Sequence, residues 1–221
     1  LWNENNCKRF GEEIRDSQYF IVASNIVKDS LKFSGVKETQ IGIVPYGVDL
    51  TKFTFVNKDV LKKPLKLIYV GQVTYRKGIH HLLKVMETFS KEDVILKIVG
   101  GYSKDSKLYQ KYKNIPNIEF LGFVTRDRLA KEYQLADVFV FPTLGEGYGL
   151  VVLEAISCGV PVISSDHAGG NDAITPYEDG SVFKAGDHDE LRKNIQWFID
   201  HPDGLPELSR NAHIKSLSFS W

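Results

Sequence analysis

At 221 residues, 43% hydrophobic and 25% charged, the chain has an ordinary globular composition and the length of one large domain or one and a half small ones. Its 28 Lys and Arg side chains are balanced by 28 Asp and Glu, which argues against a nucleic-acid footprint. No apolar run approaches the ~18 residues of a membrane span, and the polar start Leu1 to Asn6 does not read as a secretory signal.

In chain order, Asn5 to Arg15 reads as a helix interrupted by Gly11, and Tyr19 to Ala23 as a short buried strand. Ser24 is placed to cap a helix that ends near Gly35, with Ile26, Val27 and Leu31 on one face. Ile41 to Val44 is a second strand, turned by the segment Pro45 to Asp49. Thr51 to Pro64 is polar and without period, and reads as a linker. Beyond it the alternation is regular. Strands at Leu67 to Val70, Val94 to Val99, Ile118 to Leu121 and Val138 to Phe141 alternate with helices at Ile79 to Phe89, near Leu108, and from the Thr125 cap to Ala136. Each strand is a continuous apolar run, which predicts a parallel sheet covered on both faces. Asp187 and Glu190 resemble a capping box before a helix at Leu191 to Ile199, and a last helix covers about Pro206 to Ile214. Cys158 falls in a predicted buried helix end, so the two cysteines, Cys7 and Cys158, read as free thiols in a reducing compartment.

The most informative stretch runs from Val138 to Ser165. It reads as strand, glycine loop, helix from about Tyr148 to Ser157, turn and strand Val160 to Ser165, with Gly159 as the left-handed residue after the helix and Pro161 blocking its continuation. Gly147, Tyr148, Gly149 and Leu150 offer backbone N–H groups at a helix start, where the dipole favours an anion. The helix is apolar nearly all round and carries a lone carboxylate, Glu154, which needs partners such as the hydroxyls of a sugar or ribose.

Glu146 and Glu154, with the block Glu146-Gly-Tyr-Gly-Leu-Val-Val-Leu-Glu154-Ala155, resemble the paired glutamates of retaining glycosyltransferases of the family-4 (group 1) type, which have the GT-B fold. The resemblance runs from about Tyr19 to Trp221. It implies an α/β, Rossmann-like parallel sheet with helices on both faces, preceded by a partial second Rossmann-like domain. Residues 1–48 would be the remnant of the acceptor-side domain, 49–64 the linker, and 65–221 the donor-binding domain, truncated at its C-terminal end.

The resemblance also implies site roles. Arg76 and Lys77, adjacent at a helix start where like signs meet, make sense around an anion. By resemblance they hold the donor's diphosphate. Lys77 matches the family Lys, while the family Arg directly after Gly71 is Gln72 here, so that Arg76 is the candidate to replace it. Gly100 with Gly101 would line the donor site, and the main chain near Phe123 and Val124 would meet the nucleobase. Glu146 would lie near the hexose and Glu154 near the ribose. The loop Ser164 to Asp172 resembles the family's glycine loop and receives no catalytic role.

Three other signals carry less. Asp187-His-Asp189 matches a metal-binding D-x-D pattern but opens a helix as a cap. His80 and His81, neighbours on a helix, point about 100° apart and do not readily share an ion. Glu146 and Glu154 would stand roughly 12 Å apart along a helix, too far for a glycosidase pair.

The reading is therefore a retaining, metal-independent transfer of a hexose from a nucleotide-diphosphate sugar to an unidentified acceptor (a sugar, a lipid-linked sugar or a protein), with no cofactor. A GT-B epimerase or hydrolase and a non-catalytic nucleotide-sugar-binding module are the alternatives. The expected setting is cytoplasmic, with peripheral attachment to a membrane left open. With acceptor-side strands missing, the 221 residues are expected to bind donor without useful turnover.

Overall fold

The structure, a computed structural model, describes residues 4–220; residues 1–3 and 221, the outer ends of the two expected domains, lie outside the described residues. A first unit contains α1 (Glu4–Asp16), β1 (Phe20–Val22), α2 (Asn25–Phe33) and β2 (Ile41–Ile43). It is followed by β3 (Leu65–Val70), α3 (Ile79–Met86), β4 (Val94–Val99), α4 (Lys107–Tyr112), β5 (Ile118–Gly122), α5 (Arg126–Leu135), β6 (Val138–Phe141), α6 (Leu150–Ser157), β7 (Val162–Ser165), β8 (Gly180–Phe183), α7 (His188–Asp200) and α8 (Leu205–Ser216).

The later strands make one six-stranded sheet in the order β5-β4-β3-β6-β7-β8, all parallel. Numbered within the sheet, this is the doubly wound order 3-2-1-4-5-6. The apolar runs work because each strand is buried on both sides. Leu65, Leu67 and Tyr69 of β3, with Val138 and Val140 of β6, face a core completed by Leu82 of α3 and Ile195 of α7. Ile68, Val70, Phe139 and Phe141 face the opposite core, with Tyr133 of α5 and Ile156 of α6. Burying each such side chain contributes about 1.5–3 kcal/mol. β1 and β2 form a separate parallel pair with a small core of Val22, Leu31, Val36 and Ile41. Around it Ile21 (73%) and Phe33 (95%) stay exposed.

Several local expectations change. Gly11 does not interrupt α1, which runs through it. The helix expected from Tyr148 begins at Leu150, because Gly149 (φ 91°) sits in the left-handed region and cannot be part of it. Asp187 caps α7 by accepting the Glu190 N–H at 2.9 Å, but the Glu190 carboxylate accepts from the Lys184 N–H rather than closing a capping box. β8 and the short 3-10 turn Gly169–Ala173 have no counterpart in the sequence reading. The segment 51–64, read as a linker, packs against the main sheet. Phe53 is buried in the main core, and the Lys58 ammonium donates to the Gln134 carbonyl at 2.6 Å, closing the last turn of α5. Both cysteines are free, Cys7 exposed and Cys158 buried. Among the described residues no helix is long and apolar enough to cross a membrane.

Candidate functional site

The sheet's order reverses between β3 and β6, whose chains cross over in opposite directions. Loops leaving the carboxyl ends of such strands part there and leave a crevice. The two loops are 71–78 after β3 and 142–149 after β6. They are stitched together: the Leu144 N–H donates to the Arg76 carbonyl at 3.0 Å, and a side chain on Gly78 (φ 65°) would collide with the Pro142 carbonyl.

A cleft of about 540 Å³ opens at this point. The main sheet supplies Gly71, Lys77 and the run Glu146 to Val151 to its wall. The first unit supplies the opposite wall, with Ile21, Val22, Ala23, Val27 and Tyr46. Seven of the residues singled out in the sequence (Gly71, Lys77, Glu146, Gly147, Tyr148, Gly149 and Leu150) thus meet in one cleft, although they come from loops about 70 residues apart.

The charges in it are paired. The Lys77 ammonium forms a close ion pair with the Glu146 carboxylate, and the Arg76 guanidinium reaches the same oxygen at 3.3 Å. Arg76 also donates to the Gly145 carbonyl at 3.0 Å. Lys77 keeps only 16% of its side-chain exposure against 63% for Arg76, so its pairing with Glu146 is the better shielded from water. An ammonium has three donors, so Lys77 can hold Glu146 and a second anionic group together. Arg76 lies at the rim rather than in the cleft wall. The Gln72 side chain is exposed, and its main-chain carbonyl accepts the buried Tyr69 hydroxyl at 2.8 Å.

The glycine loop is held from behind. Glu146 bridges to Ala168: its N–H donates to the His167 carbonyl and its carbonyl accepts from Gly169. Among the described residues no acceptor takes the N–H groups of Gly147, Tyr148 and Gly149. With the free N–H groups of the first turn of α6 they form a donor cluster beside Lys77, suited to an anion. The Tyr148 hydroxyl donates to the Tyr46 carbonyl at 3.4 Å, and the two rings pack edge to face at 5.2 Å. Burial pushes the Tyr148 phenol up to about 12.

The other expected residues stand apart from this wall. Glu154 is half-buried further along α6, where it accepts the Tyr133 hydroxyl at 3.3 Å. Burial raises its carboxyl to about 7, against the opposing pull of Arg126 and Tyr133. Part of the partner it needs is therefore within the chain. Gly100 does not line the cleft. A side chain on Gly100 would collide with the Gly71 carbonyl, so the backbone packing there requires a glycine whether or not a ligand lies nearby. The Gly71, Gly100 and Gly122 ends are laced by Gly71 N–H to Val99 and Gly100 N–H to Gly122, each 2.9 Å. They form one rim that continues the cleft toward Phe123, which is 83% exposed, and half-buried Val124.

Residues 164–172, given no catalytic role in the sequence reading, join the two units. The Asp172 carboxylate accepts the Asn25 N–H at 2.7 Å, at the start of α2. Ser24, expected to cap α2, donates its hydroxyl instead to the Gly147 carbonyl. Nothing local in the sequence marks either contact. His81 and His188 meet at 2.8 Å through Nδ1 and Nε2, but among the described residues no group of three or more side chains could hold a metal ion.

The family model described as "Glycosyl transferases group 1" matches residues 52–215. A glycogen synthase of Mycobacterium tuberculosis is 26% identical over 94% of this chain and 52% of its own length. An uncharacterised glycosyltransferase of Methanocaldococcus jannaschii is 32% identical over 75% of this chain and 44% of its own. The chain spans about half the length of the curated relatives it matches. Among solved structures, a sucrose-phosphate synthase of Thermosynechococcus elongatus superimposes with a TM-score of 0.86 at 26% identity, covering 99% of this chain and 58% of that one. Anabaena HepE in complex with UDP-glucose gives 0.83 at 17% identity, covering 99% and 65%, a likeness of fold.

Proposed function

The chain belongs to the group 1 glycosyltransferases, and on that footing we propose that it carries the donor side of an enzyme that moves a hexose from a nucleotide-diphosphate sugar to an acceptor with retention of configuration. Residues 65–221 are the donor-binding part, 1–48 the acceptor-side part, and 49–64 the connection. The observation that carries this reading is the convergence of Lys77, Glu146 and the free N–H groups of 147–150 at the switch point of the sheet.

The chemical difficulty in such a transfer is the negative charge that grows on the departing diphosphate. Preorganised donors in a partly dry cleft stabilise it. Lys77 supplies a shielded positive charge, Arg76 a second from the rim, and the 147–150 run its N–H dipoles. Together, net of the Glu146 charge they also balance, they offset part of the diphosphate's charge, and the reading calls for no divalent cation. Glu146 accepts hydroxyls of the hexose while Lys77 keeps it in place. Neutralised by two cations, it is a poor nucleophile, which favours attack by the acceptor on the donor's own face. The base lies along the Gly71–Gly100–Gly122 rim, near Phe123 and Val124, and the ribose near Glu154. A UDP sugar is the first choice, since HepE was solved with UDP-glucose. The free Cys7 and Cys158 fit a reducing, cytoplasmic setting.

A thermal-shift screen of UDP-, GDP- and ADP-hexoses tests the reading. At least one is expected to raise the melting temperature, by linkage to the folded state. If none does at millimolar concentration, the cleft is not a donor site. Retention is tested on any transfer product by the anomeric proton coupling in NMR, where an inverted product would overturn it.

A further inference from the structure

A second pocket lies at the opposite end of the sheet. Its volume is about 180 Å³, roughly six waters at ~30 Å³ each, too small for a nucleotide and wide enough for one sugar ring. Gly180 and Ser181 open β8 and lie on its wall, so it sits at the amino ends of the strands, whereas the cleft lies at their carboxyl ends.

Its lining has two parts. Trp197 and Tyr177 supply aromatic surface. One face of Trp197 is covered by the His201 ring, stacked at 4.6 Å and 17°. Tyr177 is 84% exposed and has φ 70°, the single non-glycine residue recorded at positive φ among the described residues. A bulky residue is strained there, and such strain clusters at ligand clamps. The polar part is Ser181, Asn194 and Lys193. The Ser181 hydroxyl is buried beneath this wall and does not open into the pocket, and the Asn194 amide N–H already donates to the Glu190 carbonyl at 3.1 Å, so the polar groups offered are the Asn194 amide oxygen and the Lys193 ammonium.

An aromatic platform beside an amide oxygen and an ammonium matches a pyranose ring. The ring's C–H face packs on an aromatic, and its hydroxyls both donate and accept. We propose that this pocket is a second sugar site, holding one ring of a glycan away from the transfer cleft. Its choice of a sugar over another small polar ring rests on the transfer reading above, in which the substrates are sugars. Tethering a glycan there raises its effective concentration at the molecule without any new contact in the cleft.

Saturation-transfer NMR tests this with glucose, galactose, mannose, N-acetylglucosamine and the α-1,4- and β-1,4-linked glucose trimers. At least one is expected to bind, to persist when UDP is added, and to lose at least tenfold in affinity in Trp197→Ala and in Tyr177→Gly. The glycine variant relieves the positive φ, so its melting temperature is expected to hold or rise, and loss of sugar binding there cannot come from unfolding. UDP binding is followed in the same samples. Its absence would sink the donor reading and leave the sugar result to be judged by itself. No binding of any of these sugars, undiminished binding in both variants, or displacement by UDP would overturn the second site.

Discussion

The Ser24 hydroxyl donates a 2.5 Å hydrogen bond to the Gly147 carbonyl, so a residue at the start of α2 holds the glycine loop 123 positions later. Ser24 is wholly buried, and a side chain on Gly169 would collide with both partners. The wall of the cleft is thus set by a three-way contact of Ser24, Gly147 and Gly169. Ser24→Ala leaves the carbonyl short of a donor and is expected to cost about 1–3 kcal/mol of stability. Gly169→Ala is expected to cost more and to weaken nucleotide binding as well, because the loop must move. Chemical denaturation and calorimetry check both. A Gly169→Ala protein with wild-type stability and affinity would show that the contact does not set the loop.

Arg76, rather than Gln72, is expected to assist Lys77. Its guanidinium already reaches Glu146, whereas the Gln72 side chain is exposed and makes no hydrogen bond among the described residues. Arg76→Ala should lower nucleoside-diphosphate affinity severalfold, more at low salt than at high, since the group is at the rim. Gln72→Ala should leave it within twofold. The reverse order in a titration would assign the role to Gln72.

Glu154 joins a stability effect to a binding effect. Burial holds its carboxyl at about 7, above the ordinary 4.5. The stability favoured by its neutral form is full below pH 4.5 and is lost as pH rises through 7, on the order of 3 kcal/mol at most. Glu154→Gln is therefore expected to melt higher than the parent at pH 8 and no higher at pH 4.5. If the carboxylate accepts ribose hydroxyls, the same variant binds nucleotide more weakly by about 1–3 kcal/mol. Equal melting at pH 8 would refute the burial cost, and equal affinity the ribose contact.

Much of this was legible before the structure, and the rest was not for definable reasons. β3 and β6 announce themselves because both faces of each strand are apolar. The 146–150 loop does so because its glycines precede a helix apolar but for Glu154 and Ser157. β8 does not, since Gly180 and Ser181 open a strand of only four residues that the sheet, not propensity, selects. Ser24 reads as an N-cap from its neighbours, and only the distant Gly147 redirects its hydroxyl. The positions of Arg76 and Lys77 were visible. Their shared partner Glu146, about 70 residues on, depends on strand order, which local pattern does not encode.

The three histidines on α3 and α7 predict an acid limb. Burial, then His80 and His188, hold His81 at about 4, below the ordinary 6.5. The stability of its neutral ring is present above pH 6.5 and is lost as pH falls toward 4. The melting temperature is expected to drop over that window, and to drop less in His81→Gln, which does not titrate there. An equal drop in both proteins would remove His81 as the cause.

The central claim is that Lys77 and the 147–150 donors form a diphosphate site, and calorimetric titration of the chain with UDP, GDP and ADP beside their nucleosides tests it most directly. The account predicts that at least one diphosphate binds at least tenfold more tightly than its nucleoside, that EDTA leaves this unchanged, and that Lys77→Ala removes most of the difference. Diphosphate and nucleoside binding alike, or a preference that survives in Lys77→Ala, would contradict it.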